Sequence, residues 1–398
     1  MRAVTRIAVN SSDPSKKFDM SGHCGKLKQL MKQKVFPEVV QHIQHPQSKT
    51  GKGIVGISLF SGAGGMDVGF EKAGVSVVKA SEIMPAACET YRANHPNCDL
   101  LEGDVNEYMD AFAPREADIV FGGPPCQGFS VAGKMNPDDK RSQLIWSFLD
   151  VVERVQPKVF IMENVKALAT LEKWGEVRRK YLERAQEMGY FCHYFVLNSA
   201  DFGVCQKRER VFFIGAKTDF SPDDFQHTLN RYHKRPQTLR QLLLSLPSIG
   251  EKGNENTCTA KISCAAKPVM RRSPYAGMLF NGMGRPLNLD SISSTLPASM
   301  GGNKTPIVDE RLLQDETALD WVKDYHSRLW NEEIVPTFCE APSFLRRISI
   351  AEAAAIQSFP AEYVFCGQKS SVYTQIGNAV PCQLAEAVAK SAIKFFNL

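Results

Sequence analysis

One cysteine of this sequence stands in a setting that suits chemistry better than packing. The segment IVFGGPPCQGFS, residues 119–130, places Cys126 directly after two prolines and shortly before a glycine. Proline fixes the backbone and glycine frees it, and neither residue type fills a core. The residues QGFS lead toward a helix, and a thiol near a helix N-terminus has its thiolate favoured. We therefore expect Cys126 to be a nucleophile rather than a packed core residue.

Charged side chains follow two further segments of the chain. Glu163 ends the apolar run FIMENV, and in a parallel sheet it would point into the same crevice as Cys126. Capping of the next helix is the competing role for an acid at this position. In QKRERVFFIG, the alternating residues Gln206, Arg208 and Arg210 share one side of an extended segment. Two guanidinium groups there suit a carboxylate or a phosphate, and a solvated charge cluster is the ordinary alternative.

A glycine-rich turn, LFSGAGGMDVGF at residues 59–70, follows the first apolar run. Gly62 and Gly64 allow the turn to be tight, so that the next helix can begin beside a ligand. Glu82 comes twenty residues after Gly62, a spacing that suits an acid bonded to ribose hydroxyls. Asp104, in EGDV, is placed to accept a hydrogen bond from an adenine amino group. An α/β turn that binds no nucleoside is the alternative.

Asp67 indicates which nucleoside this turn would bind. The pattern is G-x-G-G-x-D, so Asp67 stands where a third glycine would let the helix close on a pyrophosphate. A carboxylate at the start of a helix also repels a diphosphate and favours a nearby cation. The sequence therefore favours S-adenosylmethionine, which carries a sulfonium cation, over a dinucleotide. A nicotinamide oxidoreductase is disfavoured for the same reason.

The bulk composition is that of a soluble intracellular protein. The chain has 398 residues, a net charge of +5, 43% hydrophobic residues and 23% charged residues. No apolar run approaches the roughly 20 residues of a membrane helix, and the N-terminus has no long secretory h-region. The 11 cysteines form no C-x-x-C pair, which argues against a disulfide framework and against a zinc site. We expect a metal-free protein in a reducing, cytoplasmic compartment.

Strand-like and helix-like segments alternate from residue 54 to residue 217. Several strand-like segments are continuously apolar, which is typical of a parallel sheet covered on both faces. We therefore predict an α/β fold with a doubly wound, mostly parallel sheet over 54–217. Residues 218–345 are rich in turns and predict a smaller, irregular, β- and loop-rich domain. Within it, residues 309–334 predict one amphipathic, acidic helix.

The N-terminal and C-terminal segments differ in the structure that their sequences predict. Residues 1–53 are polar, contain one helix-like stretch around 25–44, and form an extension of unknown role. Residues 346–398 return to regular structure and end in a long helix. Ser349 and Glu352 have the spacing of a capping box at the start of a helix. We expect this C-terminal segment to complete the domain formed by 54–217.

Eight motifs of this sequence occur in an order that resembles the DNA (cytosine-5)-methyltransferases of restriction–modification systems. They are FSGAGG, SE, EGD, GGPPCQGFS, ENV, QKRER, RRISIAEAAAIQSFP and YTQIGNAVP. The resemblance covers about 54–217 and 346–398. Ile348 and Ser349 replace the commoner Leu and Thr of one motif. The resemblance implies the fold of an S-adenosylmethionine-dependent methyltransferase.

The resemblance also implies a mechanism. Cys126 would add to carbon 6 of a cytosine and make carbon 5 nucleophilic. Glu163 would bind N3 and the exocyclic amine of the ring and would need a proton, hence a raised pKa. Arg208 would touch the base or the region of Cys126, with Gln206 and Arg210 supporting that loop. The cytosine would be flipped out, because a base stacked in a duplex is out of reach.

S-adenosylmethionine, without a metal, is the cofactor that the resemblance implies. The residues expected to line its pocket are Phe60, Gly62, Gly64, Glu82, Asp104, Pro124 and Asn378. A turn at Gly377 and Asn378 would close this pocket from the side of the C-terminal helix.

The middle region, about 218–345, lies where this family keeps its target-recognition domain. Between residues 217 and 304, twelve Lys and Arg residues outnumber six Asp and Glu residues, an excess of six positive charges. Charge alone fits a solvated region as well as a DNA-binding one, but the resemblance makes double-stranded DNA the expected partner. The candidate DNA contacts are Arg271, Arg272, Arg285 and Lys304. Each is better suited to contacting a phosphate than a base. The region also faintly resembles those of enzymes that modify GC-rich sites, which suggests a GC-rich target.

The resemblance further implies a monomer in the bacterial cytoplasm, associated with the nucleoid through DNA. A cognate restriction endonuclease would act on the same site without forming a stable complex. Two alternatives remain open. A tRNA cytosine-5 methyltransferase of the DNA-enzyme-like type is disfavoured by the sizeable insert at 218–345. A catalytically silent DNA-binding regulator would have no need of Cys126 and Glu163.

Overall fold

A seven-stranded sheet organises the part of the chain that the structure describes. The computed structural model describes residues 53–125 and 143–398, which belong to one unit of the chain. The helix predicted around 25–44 and the predicted nucleophile Cys126 lie outside these residues. The predicted helix around 25–44 and the nucleophile role of Cys126 therefore stay predictions.

In the described residues before 217 there are eight strands, and all except the two-residue strand Gln206–Lys207 lie in segments that the sequence predicts as strands. They are β1 (Ile54–Leu59), β2 (Val75–Glu82), β3 (Asp99–Glu102), β4 (Ile119–Gly122), β5 (Val159–Val165), β6 (Phe191–Asn198), β7 (Gln206–Lys207) and β8 (Glu209–Ala216). All except β7 join the large sheet, in the order β3–β2–β1–β4–β5–β8–β6.

The sheet is parallel from β3 to β5, whereas β8 is antiparallel to both of its neighbours, β5 and β6. The chain changes direction across the sheet between β1 and β4. Carboxyl ends of parallel strands on either side of such a switch point enclose a crevice. The prediction of a doubly wound, mostly parallel α/β fold is confirmed.

Helices cover both faces of this sheet. They are α1 (Gly65–Lys72), α2 (Pro85–Asn94), α3 (Leu144–Val155), α4 (Lys166–Thr170) and α5 (Gly175–Glu187). On one face, Phe70 of α1 stacks on Phe121 of β4 with ring centroids 3.8 Å apart. On the other face, Phe148 of α3 and Tyr181 of α5 belong to a second buried cluster. The central strands β1, β4 and β5 are mostly apolar because both of their faces are buried.

The middle of the chain contains short elements. They are α6 (Pro222–Asn230), α7 (Leu239–Leu244), β9 (Ser263–Val269), β10 (Met278–Phe280), β11 (Ser293–Ser294), β12 (Ile307–Asp309), α8 (Glu310–Gln314), α9 (Trp321–Trp330), β13 (Cys339–Glu340) and β14 (Leu345–Arg347). A small core around Cys264, Leu279 and Val322 holds much of this region together. In contrast, α6 contributes Phe225 to the core of the large sheet.

The prediction of one helix over 309–334 is wrong, because the chain forms two helices there, α8 and α9. Asp309 caps the first helix and Asp320 caps the second, each through a side chain that accepts backbone N–H bonds. Between them, Asp315 accepts from the N–H of Thr317 and forms a turn. Aspartate side chains that bond to nearby backbone groups compete with a continuous helix.

The C-terminal segment returns to the large sheet through α10 (Ile350–Ile356), α11 (Lys369–Asn378) and α12 (Cys382–Phe396). The predicted capping box is confirmed: the Glu352 N–H donates to Ser349 Oγ at 3.0 Å, and the Ser349 N–H donates to Glu352 Oε2 at 2.8 Å. Helix α12 packs against α1, which follows the glycine-rich turn. Residues more than 300 positions apart therefore shape the same edge of the sheet.

Residues 53–125 and 143–398 contain neither a membrane-spanning helix nor a cluster of metal ligands. No helix there has the length and hydropathy needed to cross a bilayer. In the same residues, no group of three or more His, Cys, Asp or Glu side chains is arranged to hold a metal ion.

Candidate active site

A cavity of about 640 Å³ lies at the carboxyl ends of β1, β2, β4 and β5. Nine of the residues predicted for the site line it, namely Phe60, Gly62, Glu82, Asp104, Pro124, Glu163, Arg208, Arg210 and Asn378. Pro125, the residue before Cys126, lines it as well. The crevice expected from the strand order is therefore the place where the predicted cofactor and base residues meet.

Glu82, at the end of β2, is fixed by the glycine-rich turn and by its own strand end. Its Oε2 accepts from the N–H of Gly62 at 2.7 Å, and its Oε1 accepts from the N–H of Met84 at 2.7 Å. Burial raises the pKa of Glu82, and these backbone N–H groups oppose that rise. Each carboxylate oxygen retains acceptor capacity. The side chain is thus held in position to accept hydrogen bonds from hydroxyl groups.

The glycine-rich turn is tight because three of its residues have left-handed backbone angles. Phe60, Gly62 and Gly64 have φ values of 55°, 56° and 80°. For the non-glycine Phe60 this conformation is strained, and such strain clusters at functional sites. A Cβ atom at Gly62 would meet nothing within 4 Å, so this edge of the cavity is open for a ligand.

The structure corrects the prediction that Gly64 lines the cofactor pocket. Gly64 is absent from the cavity lining. A Cβ atom there would lie 2.6 Å from both His95 Nε2 and Tyr363 Oη. Glycine is required at this position because the buried His95 and the half-buried Tyr363 pack behind the turn.

The interpretation of Asp67 is also wrong. Its side chain is fully buried, lies outside the cavity lining, and accepts a hydrogen bond from Tyr91 Oη at 2.8 Å. Burial raises its pKa to about 6. Asp67 points into the protein from α1, so it neither repels a diphosphate nor attracts a sulfonium in the cavity.

Asp104 precedes a short 3₁₀ helix at Val105–Ala111 and caps it. Its Oδ1 accepts from the N–H and the side-chain amide of Asn106. Pro124, on the opposite strand end, is held by Asn164, whose Nδ2 donates to the Pro124 carbonyl at 3.2 Å. Both predicted cofactor residues are therefore positioned by local hydrogen bonds at the rim of the sheet.

Glu163 and Arg210 form an ion pair inside the cavity, on the antiparallel strands β5 and β8. Arg210 Nε lies 2.9 Å from Glu163 Oε1, and the two side chains are 16% and 11% exposed. Burial raises the pKa of Glu163, whereas the positive charges of Arg210 and Arg208 act against that rise. The net rise is the direction expected for a carboxyl group that holds a proton.

Gln206, which the resemblance implies supports the loop beside Arg208, makes its contacts outside the cavity. Gln206 is fully buried and does not line the cavity. Its Nε2 donates to Gln357 Oε1 at 2.7 Å, and its Oε1 accepts from the N–H of Leu296 at 2.9 Å. Gln206 is therefore a positioning residue that joins the middle region to the C-terminal segment.

Arg208 and Gln357 also join the strands and the middle region to the C-terminal segment. Arg208 is 2% exposed and donates to the carbonyl groups of Leu296 and Gly377 at 3.3 and 3.0 Å. Gln357 Nε2 donates to the carbonyl groups of Ile376 and Ala379. The predicted turn at Gly377 and Asn378 is instead the end of α11, but its backbone does line the cavity.

Sequence reasoning missed Gln357 and the part of the middle region that reaches the cavity. Gln357 directly follows α10, and a lone amide beside the apolar run IAEAAAI was the available signal. Residues 295–299 line the cavity beside Arg208. No local pattern distinguishes these five residues from the rest of the loop.

The four predicted DNA contacts lie away from the cavity lining. Arg271, Arg272, Arg285 and Lys304 are all exposed. The salt bridges found in the described ranges involve none of these four side chains. Their charges are thus available to an anionic partner.

Comparison with known proteins assigns this architecture to a family. The sequence profile of the family described as C-5 cytosine-specific DNA methylase matches residues 54–394. The chain is 34% identical over 346 residues to the type II methyltransferase M1.HphI of Haemophilus parahaemolyticus, covering 85% of this chain and 86% of that one. It is 33% identical over 356 residues to the type II methyltransferase M.Sau96I of Staphylococcus aureus, covering 85% and 75%.

Solved structures agree on the fold. A putative DNA modification methyltransferase encoded within an Escherichia coli prophage aligns with a TM-score of 0.59 and 24% identity, covering 87% of this chain and 100% of that one. The Dnmt2 methyltransferase of S. pombe aligns with a TM-score of 0.59 and 18% identity, with the same two coverages.

Proposed function

Because this chain belongs to the C-5 cytosine-specific DNA methylases of restriction–modification type, we propose that it methylates carbon 5 of a flipped-out cytosine in a specific double-stranded DNA site. The observation that carries the proposal is one cavity that brings Glu82 and Asp104 together with Glu163, Arg208 and Arg210. The first pair suits a nucleoside cofactor, and the second group suits a cytosine ring.

The residues of the cavity fit S-adenosylmethionine. Glu82 offers two anchored oxygens to ribose hydroxyls, and Asp104 offers an acceptor to an adenine amino group. The open space at Gly62 leaves room for the ligand beside the turn. When bound, S-adenosylmethionine supplies an electrophilic methyl group on a sulfonium centre. Phe60, Pro124 and Asn378 complete the proposed pocket.

Cys126 is the proposed nucleophile, because it directly follows Pro124 and Pro125 in the sequence and both prolines line the cavity. Its thiolate forms a bond to carbon 6 of cytosine, and the electron pair of the C5–C6 double bond moves toward carbon 5. Carbon 5 takes the methyl group as the carbon–sulfur bond of the sulfonium breaks and leaves a neutral thioether. Loss of the carbon 5 proton to solvent then restores the C5–C6 double bond and expels the thiolate. The thiolate is therefore regenerated in each cycle.

Glu163 stabilises the ring while the thiolate adds. Its proton is shared with N3, and its other oxygen accepts from the exocyclic amine of cytosine. Burial supports the protonated form, and Arg210 holds the carboxyl group in one orientation. Arg208, anchored to Leu296 and Gly377, lies beside the base or the Cys126 loop.

The middle region is the proposed target-recognition domain, with Arg271, Arg272, Arg285 and Lys304 contacting DNA. Their exposure and lack of salt-bridge partners in the described ranges support this role. The similarity to type II methyltransferases supports a cognate restriction endonuclease that acts on the same site. We further propose that the enzyme works as a monomer.

Duplex DNA that carries 5-fluorocytosine in the target site tests this proposal. Fluorine cannot leave as the proton does, so we expect a denaturation-resistant protein–DNA adduct in the presence of S-adenosylmethionine. The Cys126→Ser variant should form no adduct and should retain its fold by circular dichroism. An adduct on the serine variant, or none on the wild type, would refute the nucleophile.

Bisulfite sequencing of DNA from cells that express the chain identifies the substrate. We expect 5-methylcytosine at one recurring sequence in duplex DNA, which also tests the guess of a GC-rich site. The same assay on tRNA distinguishes a DNA methyltransferase from the alternative, a tRNA cytosine-5 methyltransferase. Methylation of tRNA with unmodified DNA would replace the proposal.

A further inference from the structure

A chain of hydrogen bonds lies directly behind the glycine-rich turn, outside the cavity. The Tyr363 hydroxyl contacts the carbonyl oxygen of Ala63 at 2.5 Å. On its other side, Tyr363 Oη lies 3.1 Å from His95 Nε2, and His95 Nδ1 lies 3.0 Å from Glu71 Oε1. Ala63 lines the cofactor cavity and precedes Gly64. These hydrogen bonds thus connect the C-terminal segment to the turn through Glu71 of α1 and through His95, which follows α2.

The positions of the protons follow from the chemistry of each group. A carbonyl oxygen only accepts, so the single hydroxyl hydrogen of Tyr363 is donated to Ala63. Tyr363 Oη must therefore accept from His95, and Nε2 carries a hydrogen. The Glu71 carboxylate also only accepts, so Nδ1 carries a hydrogen as well. A histidine that donates from both ring nitrogens is an imidazolium.

The surroundings of His95 support a buried cation. Its side chain is 2% exposed, and it faces Glu71 and Asp67 from α1. Tyr91 stacks on its ring at 4.4 Å, and Tyr363 faces Nε2. Burial lowers the pKa of His95, but the hydrogen bond to Glu71 and the charges of Asp67 and Glu71 outweigh it and raise the pKa.

We propose that the His95 imidazolium and Tyr363 are positioning residues that hold the Ala63–Gly64 turn in its cofactor-binding shape, and that deprotonation of His95 releases this hold. The inference rests on the proposed function, because the turn is the proposed site of S-adenosylmethionine. A neutral His95 can donate only one of its two hydrogen bonds, either to Tyr363 or to Glu71. Either Tyr363 turns its hydrogen from Ala63 to Nε2, or Nδ1 meets the Glu71 carboxylate without a hydrogen.

The direction of the pH dependence follows from the raised pKa. His95 is charged below its folded-state pKa, which lies above the usual value of about 6.5. Its contribution is fully present at lower pH and is lost as pH rises through the folded-state pKa. Cofactor affinity should therefore fall on the alkaline side. Asp67, with a pKa of about 6, is ionised over that range and does not reverse the trend.

Nitrogen-15 spectroscopy of the histidine rings tests the protonation state without cofactor or DNA. Comparison of the full chain with a His95→Gln variant identifies the His95 signals. We expect both ring nitrogens to carry hydrogen at pH 7 and to titrate above the exposed histidines. A single neutral tautomer at pH 7 would overturn the inference, whatever the function of the protein.

Calorimetric titration with S-adenosylmethionine tests the positioning role. Wild-type affinity should fall by about tenfold between pH 6.5 and 9, and Tyr363→Phe should bind about tenfold more weakly at pH 6.5 with little pH dependence. In steady-state assays, Tyr363→Phe should raise KM for the cofactor more than it lowers kcat. These two readouts separate positioning of the turn from a general loss of stability.

Tyr373→Phe is the control, because Tyr373 is a buried tyrosine whose hydroxyl also donates to a backbone carbonyl, that of Ile348 at 2.7 Å, but outside the cavity lining. It should keep the wild-type affinity and pH profile. Wild-type behaviour of Tyr363→Phe would refute the positioning role. Failure of the wild type to bind S-adenosylmethionine at any pH would instead remove the proposed function, while the nitrogen-15 result would still decide the state of His95.

Discussion

At the scale of single residues, the environment of Glu163 decides what its carboxyl group can do. Burial favours the protonated form and the neighbouring arginines favour the charged form. Arg210 contacts the carboxyl group directly, at 2.9 Å. The balance leaves the pKa raised, which suits a group that shares a proton with a substrate ring.

Replacing Glu163 by glutamine should affect chemistry far more than binding. Glu163→Gln keeps the size of the side chain but cannot share a proton, so the single-turnover rate should fall by about 10²–10⁴. Fluorescence anisotropy should show DNA affinity close to that of the wild type. Equal losses of rate and affinity would mean that Glu163 acts mainly in DNA binding.

Replacing Arg210 by glutamine should move the pH profile of the reaction. Arg210 favours the charged form of Glu163, so its removal raises the pKa of Glu163 further. The alkaline limb of the rate profile should shift to higher pH, while the maximal rate falls because the carboxyl group loses its orienting partner. Single-turnover rates across pH check this shift. Arg179→Gln, on the exposed face of α5, is the control, and a shift to lower pH would contradict the prediction.

At the scale of elements, the turn proposed to hold the cofactor depends on the contact between α1 and α12. Gly69 lies where the helices are closest, and a Cβ atom there would be 2.5 Å from the Cys382 carbonyl and the Glu386 nitrogen. These are backbone atoms that cannot rotate away. The glycine therefore sets the distance between the C-terminal helix and the helix that follows the turn.

Gly69→Ala should destabilise the fold by about 1–3 kcal/mol, because the added methyl group forces the two helices apart. Urea denaturation followed by circular dichroism measures the change. Gly175→Ala, at the start of α5, is the matched control, since its Cβ would meet only Arg178 Nη2 at 3.7 Å. An unchanged urea midpoint for Gly69→Ala would show that α12 can shift at no cost.

At the scale of the whole molecule, the uneven charge matters more than the net charge of +5. The four proposed DNA contacts are exposed, whereas Arg208 and Arg210 lie inside the cavity. Exposed cations neutralise phosphates and release counterions, so DNA affinity should fall steeply as salt rises. Arg208 and Arg210 instead line the cavity proposed for the base.

The double variant Arg271→Gln/Arg272→Gln should weaken binding to all sequences. Its slope of log affinity against log salt should be shallower by about 1.8, since each lost phosphate contact removes about 0.9. Anisotropy titrations at several salt concentrations measure the slope. Lys180→Gln, on α5 at the edge of the large sheet, is the control. A slope equal to that of the wild type would place these arginines away from DNA.

Much of the fold was predictable because strand formation is encoded locally. Continuous apolar runs bounded by turns gave the correct strands before residue 217, and the Ser349–Glu352 spacing gave a correct helix start. The single helix predicted over 309–334 failed where aspartates cap and interrupt the pattern. Hydrophobic periodicity does not register a side chain that bonds to its own backbone.

The sequence by itself determined which residue types are able to carry chemistry and at which strand ends they stand, since these depend on residue type and on spacing along one segment. Only the tertiary structure decided which side chains face the cavity. It turned Asp67 inward, placed His95 and Tyr363 behind Gly64, and used Gln206 to bind Leu296. His95 and Tyr363 are 268 residues apart, and they meet where the C-terminal helices pack against α1 and α2. The direction of a buried side chain follows from such distant contacts, so no local pattern contains it.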